Sequence, residues 1–439
     1  MQTQIWTNDM RYDQIDAEFF ARNRDRLRDQ LEPGAIAIVQ ANDILPTNAD
    51  GVMPFVQNSD LYYLTGVNQE ETVLVLFPGA PDPRDREILF VKETSELIAV
   101  WEGEKLTKEG ATSVSGIKRV EWEKTFESHL HRLMPQAQSV HLPTNEHLRA
   151  ATLVPTRNDR FIRHLKEQYP LHQFVRLAPL MHRLRMIKDP VEIAQLRKAI
   201  GITADGFRRV LKFVGPGVGE WEVEAEYLHE FVRQRSRGFA YPPIIGTGRN
   251  ACVLHYVEND CVCQDGDMLL MDVAAEWAHW NADMTRTIPV NGRFSERQRA
   301  VYDGVLRVFR ESCDILRPGI TPREWQEQTV EMMEGVLVDI GLIDAKEARE
   351  QDPVEKPLTK KYFMHGIGHH LGLDVHDVCP PNEPVAEGMV FTVEPGIYIR
   401  EEGLGVRLEN DIVIGKDANI DLFDQIPIEA EEIEELMNG

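Results

Sequence analysis

Four acidic side chains stand inside runs that otherwise read as buried β-strand. They are Asp272 in LLMDVAA, Asp283 in NADMTRT, Glu394 in VFTVEPGIYI and Glu409 in GVRLENDIVI. A carboxylate among apolar strand residues is costly unless it is paired or bound to a cation. No lysine run neutralises these four, and Arg286 and Arg407 can pair with at most two of them. Any fold of this chain must therefore gather the acids around positive charge. One buried Asp alone reads more simply as a hydrogen-bond acceptor; it is the joint pattern that points to a divalent metal centre.

A second feature supplies a nitrogen ligand. MHGIGHHLGLDVHD, from Met364 to Asp377, places four histidines within twelve residues, interleaved with glycines. Taken alone, the segment could equally be a metal site, an acid–base relay or a polar loop. One of its histidines added to the four acids gives an oxygen-rich set with a single imidazole. Such a set suits Mn²⁺, with Co²⁺ or Zn²⁺ as alternatives. Five ligands exceed the needs of one ion, and carboxylates can bridge. A pair of metals about 3.5–4 Å apart, with a hydroxide between them as nucleophile, is therefore the expected arrangement.

The rest of the sequence bounds what this centre serves. A chain of 439 residues, 42% of them hydrophobic, can form two domains with real cores. Lys and Arg number 48 against 72 Asp and Glu, a formal charge of −24. That balance argues against nucleic acid and anionic membrane as partners. The five cysteines are odd in number and irregularly spaced, which fits a reducing compartment. The opening MQTQIWTNDMRYDQ has neither a basic nor an apolar leader region, and no run approaches 18 apolar residues. A cytoplasmic location is expected.

Residues 1–180 alternate helix-like and strand-like segments: a helix from Asp16 to Leu31, then strands at 35–40, 72–79, 87–93 and 139–143. This predicts a small α/β domain. Asp189-Pro190 then opens a long helix, with Asp as N-cap and Pro at the first helical position. Residues 181–439 follow an α+β pattern. Strand-like runs at 268–276, 285–290, 389–399 and 406–414 surround helices at Ser295–Leu316 and Thr321–Ile340.

At these residues the sequence resembles the pita-bread metallopeptidases, and among them aminopeptidase P. The matching blocks are QNSDLYYLTG, MIKDPVEIAQLRKA, IIGTGRNACVLHY, LLMDVAAEWAHWNADMTRTIPVNG, HGIGHHLGLDVHD, GMVFTVEPGIYI and GVRLENDIVI, which together span essentially the whole chain. The resemblance implies an α/β N-terminal domain and an α+β pita-bread catalytic domain. It implies a dinuclear site of Asp272, Asp283, His369, Glu394 and Glu409, usually loaded with Mn²⁺. Asp283 and Glu409 would bridge, Asp272 would bind one ion, and His369 with Glu394 the other.

The implied reaction is hydrolysis of the N-terminal Xaa-Pro bond of peptides whose second residue is proline. Glu394 would accept the proton of the attacking water, and His255, His365 and His376 would contact substrate or relay protons. His370 would be a packing residue. Arg407 would either orient His376 and hold substrate or make a salt bridge to a ligand carboxylate. Tyr398, Tyr241 and Trp101 would line the pocket for the proline ring, with plain core packing an equal alternative. The resemblance also implies a homo-oligomer, a dimer or tetramer. The runner-up is an Xaa-Pro dipeptidase, which shares all five ligands; a non-peptidase binding module on the same scaffold is a third reading, disfavoured because all five are intact.

Overall fold

The computed structural model describes residues 11–147, 149–150, 153–351 and 357–439. The polar opening residues 1–10 lie outside the described residues. The chain divides into two compact units: Asp13–Arg185, and Met186–Gly439 together with Arg11 and Tyr12.

The first unit is built on a six-stranded mixed sheet. Its strands are β1 (Ala35–Gln40), β2 (Val73–Leu76), β3 (Glu87–Val91), β4 (Val120–Trp122), β5 (Ser139–Leu142) and β6 (Gln173–Arg176), in the order β4-β3-β2-β1-β5-β6. Every residue of β1 is buried. That is why AIAIVQ reads as a continuous apolar run and not as an alternation: a central strand is covered on both faces. One face packs Ile36, Ile38, Val75, Phe90 and Val140 against Phe126, Leu130 and Leu165. The helix Ala17–Arg28 starts where Asp16 accepts the amide of Glu18.

In the second unit, capping boxes define the helix starts, at Asp189 as the sequence predicts and at two further helices. Asp189 and Glu192 form a capping box on Pro190–Phe213, Ser295 and Gln298 on Glu296–Ile315, and Thr321 and Glu324 on Pro322–Asp339. The strands are β7 (Ile244–Thr247), β8 (Met268–Asp272), β9 (Glu276–Trp277), β10 (Trp280–Asn281), β11 (Thr285–Pro289), β12 (Val390–Val393), β13 (Gly396–Ile399), β14 (Leu404–Arg407), β15 (Asn410–Val413) and β16 (Ile420–Asp421). They form the sheets β11-β8-β7 and β12-β15-β16 and the hairpins β9-β10 and β13-β14.

Here the structure corrects the sequence reading. The runs 268–276, 389–399 and 406–414 are not single strands; each is broken near an acid. The chain leaves β12 at Glu394-Pro395 to enter β13, and leaves β14 at Leu408-Glu409 to enter β15. Pro395 has no N–H to give to a ladder, so a continuous strand is barred there. The amides of the two glutamates turn to third segments instead: Glu394 N donates to Ile367 O at 2.8 Å and Glu409 N to Thr285 O at 3.1 Å. The acids thus sit at the crossings between ladders, which brings them to one place.

Candidate metal centre

Asp272 ends β8, and the chain runs out through the β9-β10 hairpin before Asp283 leads back into β11. Register pairs Asp272 with Thr285, and Val273 N donates to Met284 O at 3.0 Å. The two aspartates are therefore neighbours in space. The Tyr241 hydroxyl lies 2.6 Å from Asp272 Oδ1 and 2.6 Å from Asp283 Oδ1. It carries one proton and can donate to only one of them. Burial raises the Asp272 carboxyl even though Arg407 beside it works the other way.

His369 is held by β12. Thr392 N donates to His369 O at 2.9 Å and His369 N to Thr392 Oγ1 at 3.1 Å. Its Nδ1 lies 3.0 Å from His370 O, so Nδ1 carries the proton and the Nε2 lone pair points into the centre. There Nε2 meets Asp283 Oδ2 at 3.5 Å and Glu394 Oε1 at 3.8 Å. A lone pair can face carboxylate oxygens only across a proton or a cation. Burial opposes charge on His369, yet the hydrogen bond to Asp283 and the field of Glu394 raise its pKa.

Glu409 completes the group. The ligand atoms of Asp283, His369 and Glu409 lie within 4.8 Å of one another. Burial pushes Glu394 up to about 7 and Glu409 well above the usual carboxylate range, with the neighbouring acids adding to the latter. Arg407 reaches one acid: Nη2 lies 2.7 Å from Asp272 Oδ2, while Nη1 donates to Tyr398 OH at 2.8 Å and Nε to Thr285 Oγ1 at 3.1 Å. The contact with Asp272 is a salt bridge to a proposed ligand carboxylate. Arg286, allowed above as a partner for an acid, spends its guanidinium on the carbonyls of Thr285, Glu409 and Pro427 and on Asn410 Oδ1. Four carboxylates and the inward-facing Nε2 of His369 thus meet with too little positive charge, and divalent ions fit that donor set.

Two residues went unread in the sequence. Asp411, fully buried, accepts the amide of Asp283 at 3.1 Å, and burial holds its carboxyl well above the usual range. It stands in the same apolar run as Glu409 and could have been found by the same argument. Thr285 had no comparable signal.

The expected catalytic histidines are spread around this group. His365 Nε2 lies 2.8 Å from Tyr398 OH, and its Nδ1 lies 3.9 Å from Glu394 Oε2. The His376 ring stands edge-on to that of His369, centroids 4.3 Å apart at 83°. His370 packs its ring 4.1 Å from Phe391. His255 is exposed, between Leu254 and Tyr256, which pack in the same apolar cluster as Tyr398. Tyr398 is 1% exposed, bonded to Arg407 and His365 and packed with Ile244 and Leu270, which is in keeping with the core-packing alternative given for it. Tyr241 is half-buried with its hydroxyl between two aspartates. Trp101 ends a short helix, Glu96–Trp101, of the first unit and is 78% exposed.

Comparison with known proteins bears on this centre. The model of metallopeptidase family M24 matches residues 194–416. The chain belongs to that family. The aminopeptidase P N-terminal domain matches residues 20–141. The Xaa-Pro aminopeptidase of Escherichia coli K12 is 34% identical over 97% of this chain and 98% of its own length. Human Xaa-Pro aminopeptidase 3 is 29% identical over 91% of this chain and 80% of its own. Among solved structures, the low-pH form of E. coli aminopeptidase P superposes with a TM-score of 0.88 at 34% identity, covering 97% of this chain and 99% of that one. The zinc-substituted E. coli enzyme in complex with product gives 0.86 with the same identity and coverage. This member of family M24 is a metal-dependent aminopeptidase with a pita-bread catalytic domain, and its centre takes divalent metal ions. Among the described residues no helix is long and apolar enough to cross a membrane.

Proposed function

We propose that this aminopeptidase removes the first residue of peptides whose second residue is proline, using two divalent ions, Mn²⁺ by preference. Asp272, Asp283, His369, Glu394 and Glu409 would hold them. The observation that carries the reading is the gathering of the Asp283, Glu394 and Glu409 carboxylates about His369, with Asp272 joined to Asp283 through the Tyr241 hydroxyl. The names of the relatives, Xaa-Pro aminopeptidases of E. coli and human, supply the proline.

Bound divalent ions would supply the charge that polarises the scissile carbonyl and acidifies the attacking water. The chain's own groups do the rest. Glu394, one of the carboxylates that would hold the ions, would also take the proton of that water. His365, with Nε2 2.8 Å from Tyr398 OH and Nδ1 2.8 Å from Gly366 O, would keep its Nδ1 proton and act as a donor beside Glu394. Arg407 keeps Asp272 aligned. His376 and His255, both exposed, would donate to the carbonyl oxygen as it gains charge. Tyr241 remains the aromatic candidate for the proline ring.

Homo-oligomer formation belongs to the same reading. The first unit exposes Leu97, Val100 and Trp101 on one short helix, and light scattering on the purified chain would test it. Cytoplasmic placement rests on the five free thiols.

The deciding assay compares Gly-Pro with a longer Xaa-Pro-Xaa peptide in Mn²⁺, for the unmodified chain and Asp272→Ala. Release of the first residue from the longer peptide, lost in Asp272→Ala, is the expected result. Cleavage of Gly-Pro alone would make the chain a dipeptidase.

A further inference from the structure

The residues leading into the Pro190–Phe213 helix include a buried cation that the chemistry above leaves unused. Lys188 Nζ donates to Asp377 Oδ2 at 2.8 Å, with side-chain exposures of 0% and 1%. Burying two charges costs desolvation that their attraction scarcely offsets, so such a pair is weak evidence for stability. It does fix geometry, because neither partner can leave the other.

What it fixes is the end of the histidine segment. Asp377 N donates to His370 O at 2.8 Å, closing 370–377 into a loop, and Leu371 N donates to Val390 O at 3.1 Å. Gly372 lies against the pair. A Cβ there would stand 2.2 Å from Asp377 Oδ2 and 2.8 Å from Lys188 Cε, so the ion pair fills the space of a side chain. On its other side the loop is tied to the β9-β10 hairpin. Asn281 N donates to Gly372 O at 3.0 Å, and Asn281 Nδ2 to Leu373 O at 3.0 Å. The lysine's own amide donates to Gly388 O at 2.9 Å, fixing its backbone. Near Lys188, Glu192 takes Trp280 Nε1 of the same hairpin at 3.3 Å. The helix start therefore grips both the hairpin that precedes Asp283 and the loop that follows His369. His376, adjacent to Asp377, rests its ring on His369 from this loop.

We propose that Lys188 is a positioning residue for the aminopeptidase reaction: through Asp377 it holds the 370–377 loop so that His376 stays set against His369 and open to substrate. The assignment rests on the aminopeptidase reading of the centre. A merely structural pair would affect stability and leave turnover per folded molecule unchanged.

The test uses the full chain with Lys188→Met, Asp377→Asn and the neutral pair Lys188→Met/Asp377→Leu. On metal-free protein, hydrogen–deuterium exchange should rise about tenfold at 371–377 in Lys188→Met and stay unchanged in the middle of the Pro190–Phe213 helix. On Mn²⁺-loaded protein, kcat for an Xaa-Pro-Xaa peptide should fall about 10–100-fold, with KM held within about threefold. The neutral pair should regain Tm without regaining kcat. Recovery of kcat together with Tm overturns the proposal, as does wild-type exchange and kcat in Lys188→Met. Asp377→Asn, of the same shape, applies the same criteria if Lys188→Met does not fold. An unmodified chain that cleaves no Xaa-Pro peptide counts against the aminopeptidase reading alone, while the exchange experiment still decides whether Lys188 holds the loop.

Discussion

Thr285 Oγ1 donates to Glu409 Oε2 across 2.6 Å, joining residues 124 apart in the chain, and accepts Arg407 Nε at 3.1 Å. One hydroxyl thus orients a proposed ligand and the guanidinium that holds another, Asp272. Thr285→Val keeps the shape and removes the hydroxyl, leaving a buried carboxylate and a buried guanidinium each short of a bond. Such a loss costs about 1–3 kcal/mol. Losing the support of a metal ligand weakens metal affinity about 10–100-fold. Calorimetric titration of the metal-free variant with Mn²⁺ measures the second effect and urea unfolding the first. Thr285→Ser should restore both. A Thr285→Val that binds metal as the unmodified chain does would mean that Glu409 needs no orienting.

Without metal, the buried acids should reverse the usual pH dependence of stability. Burial lifts Glu394 from 4.5 to about 7, and Asp272, Glu409 and Asp411 are raised as well. A carboxyl raised in the folded state contributes stability that is fully present below its unfolded pKa and lost as pH rises through its folded one. The metal-free chain should therefore gain Tm as pH is lowered from 8 toward 5. Divalent metal replaces those protons, so Mn²⁺ added at pH 6 should release protons and flatten the dependence. Scanning calorimetry of EDTA-treated protein at several pH values tests the first statement. Proton release into a weakly buffered solution tests the second. A Tm that drops steadily between pH 8 and 6 contradicts the proposed protonation.

How much of this was legible in the sequence follows from the kind of signal each residue left. The helix starts were legible because their signals are local: Ser295 with Gln298 lies within one turn, and Pro190 and Pro322 mark first helical positions. The four acids were legible because charge inside an apolar run is anomalous wherever the run folds. The strand breaks at Glu394 and Glu409 were not, because their amides bond to Ile367 and Thr285, partners far away in sequence. Tyr398 was left open between pocket wall and core for the same reason: nothing local to GIYI shows its 1% exposure or its hydroxyl on Arg407 and His365. Side-chain chemistry was readable; long-range pairing was not.

The glycines of the histidine segment give a sharp contrast. Bare glycine beside proposed ligands invites the account that backbone must approach the ions. At Gly368, however, a Cβ would lie 2.0 Å from Thr392 O and 2.9 Å from Trp325 Cη2, so the close approach is to the neighbouring strand. Neither neighbour can give way: Thr392 is locked to His369 by two hydrogen bonds and Trp325 is 1% exposed. Gly368→Ala must therefore push His369 off β12. Overpacking of this kind costs about 1–3 kcal/mol, and displacing a proposed ligand should weaken Mn²⁺ binding at least about tenfold. At Gly366 the nearest atom to a Cβ is Gln326 Oε1 at 3.7 Å, ordinary contact distance, so Gly366→Ala should leave metal binding within about twofold. Both variants, measured by Mn²⁺ titration and urea unfolding, separate the strand-contact account from a requirement for bare backbone beside the ions. Equal damage from the two substitutions would favour the latter.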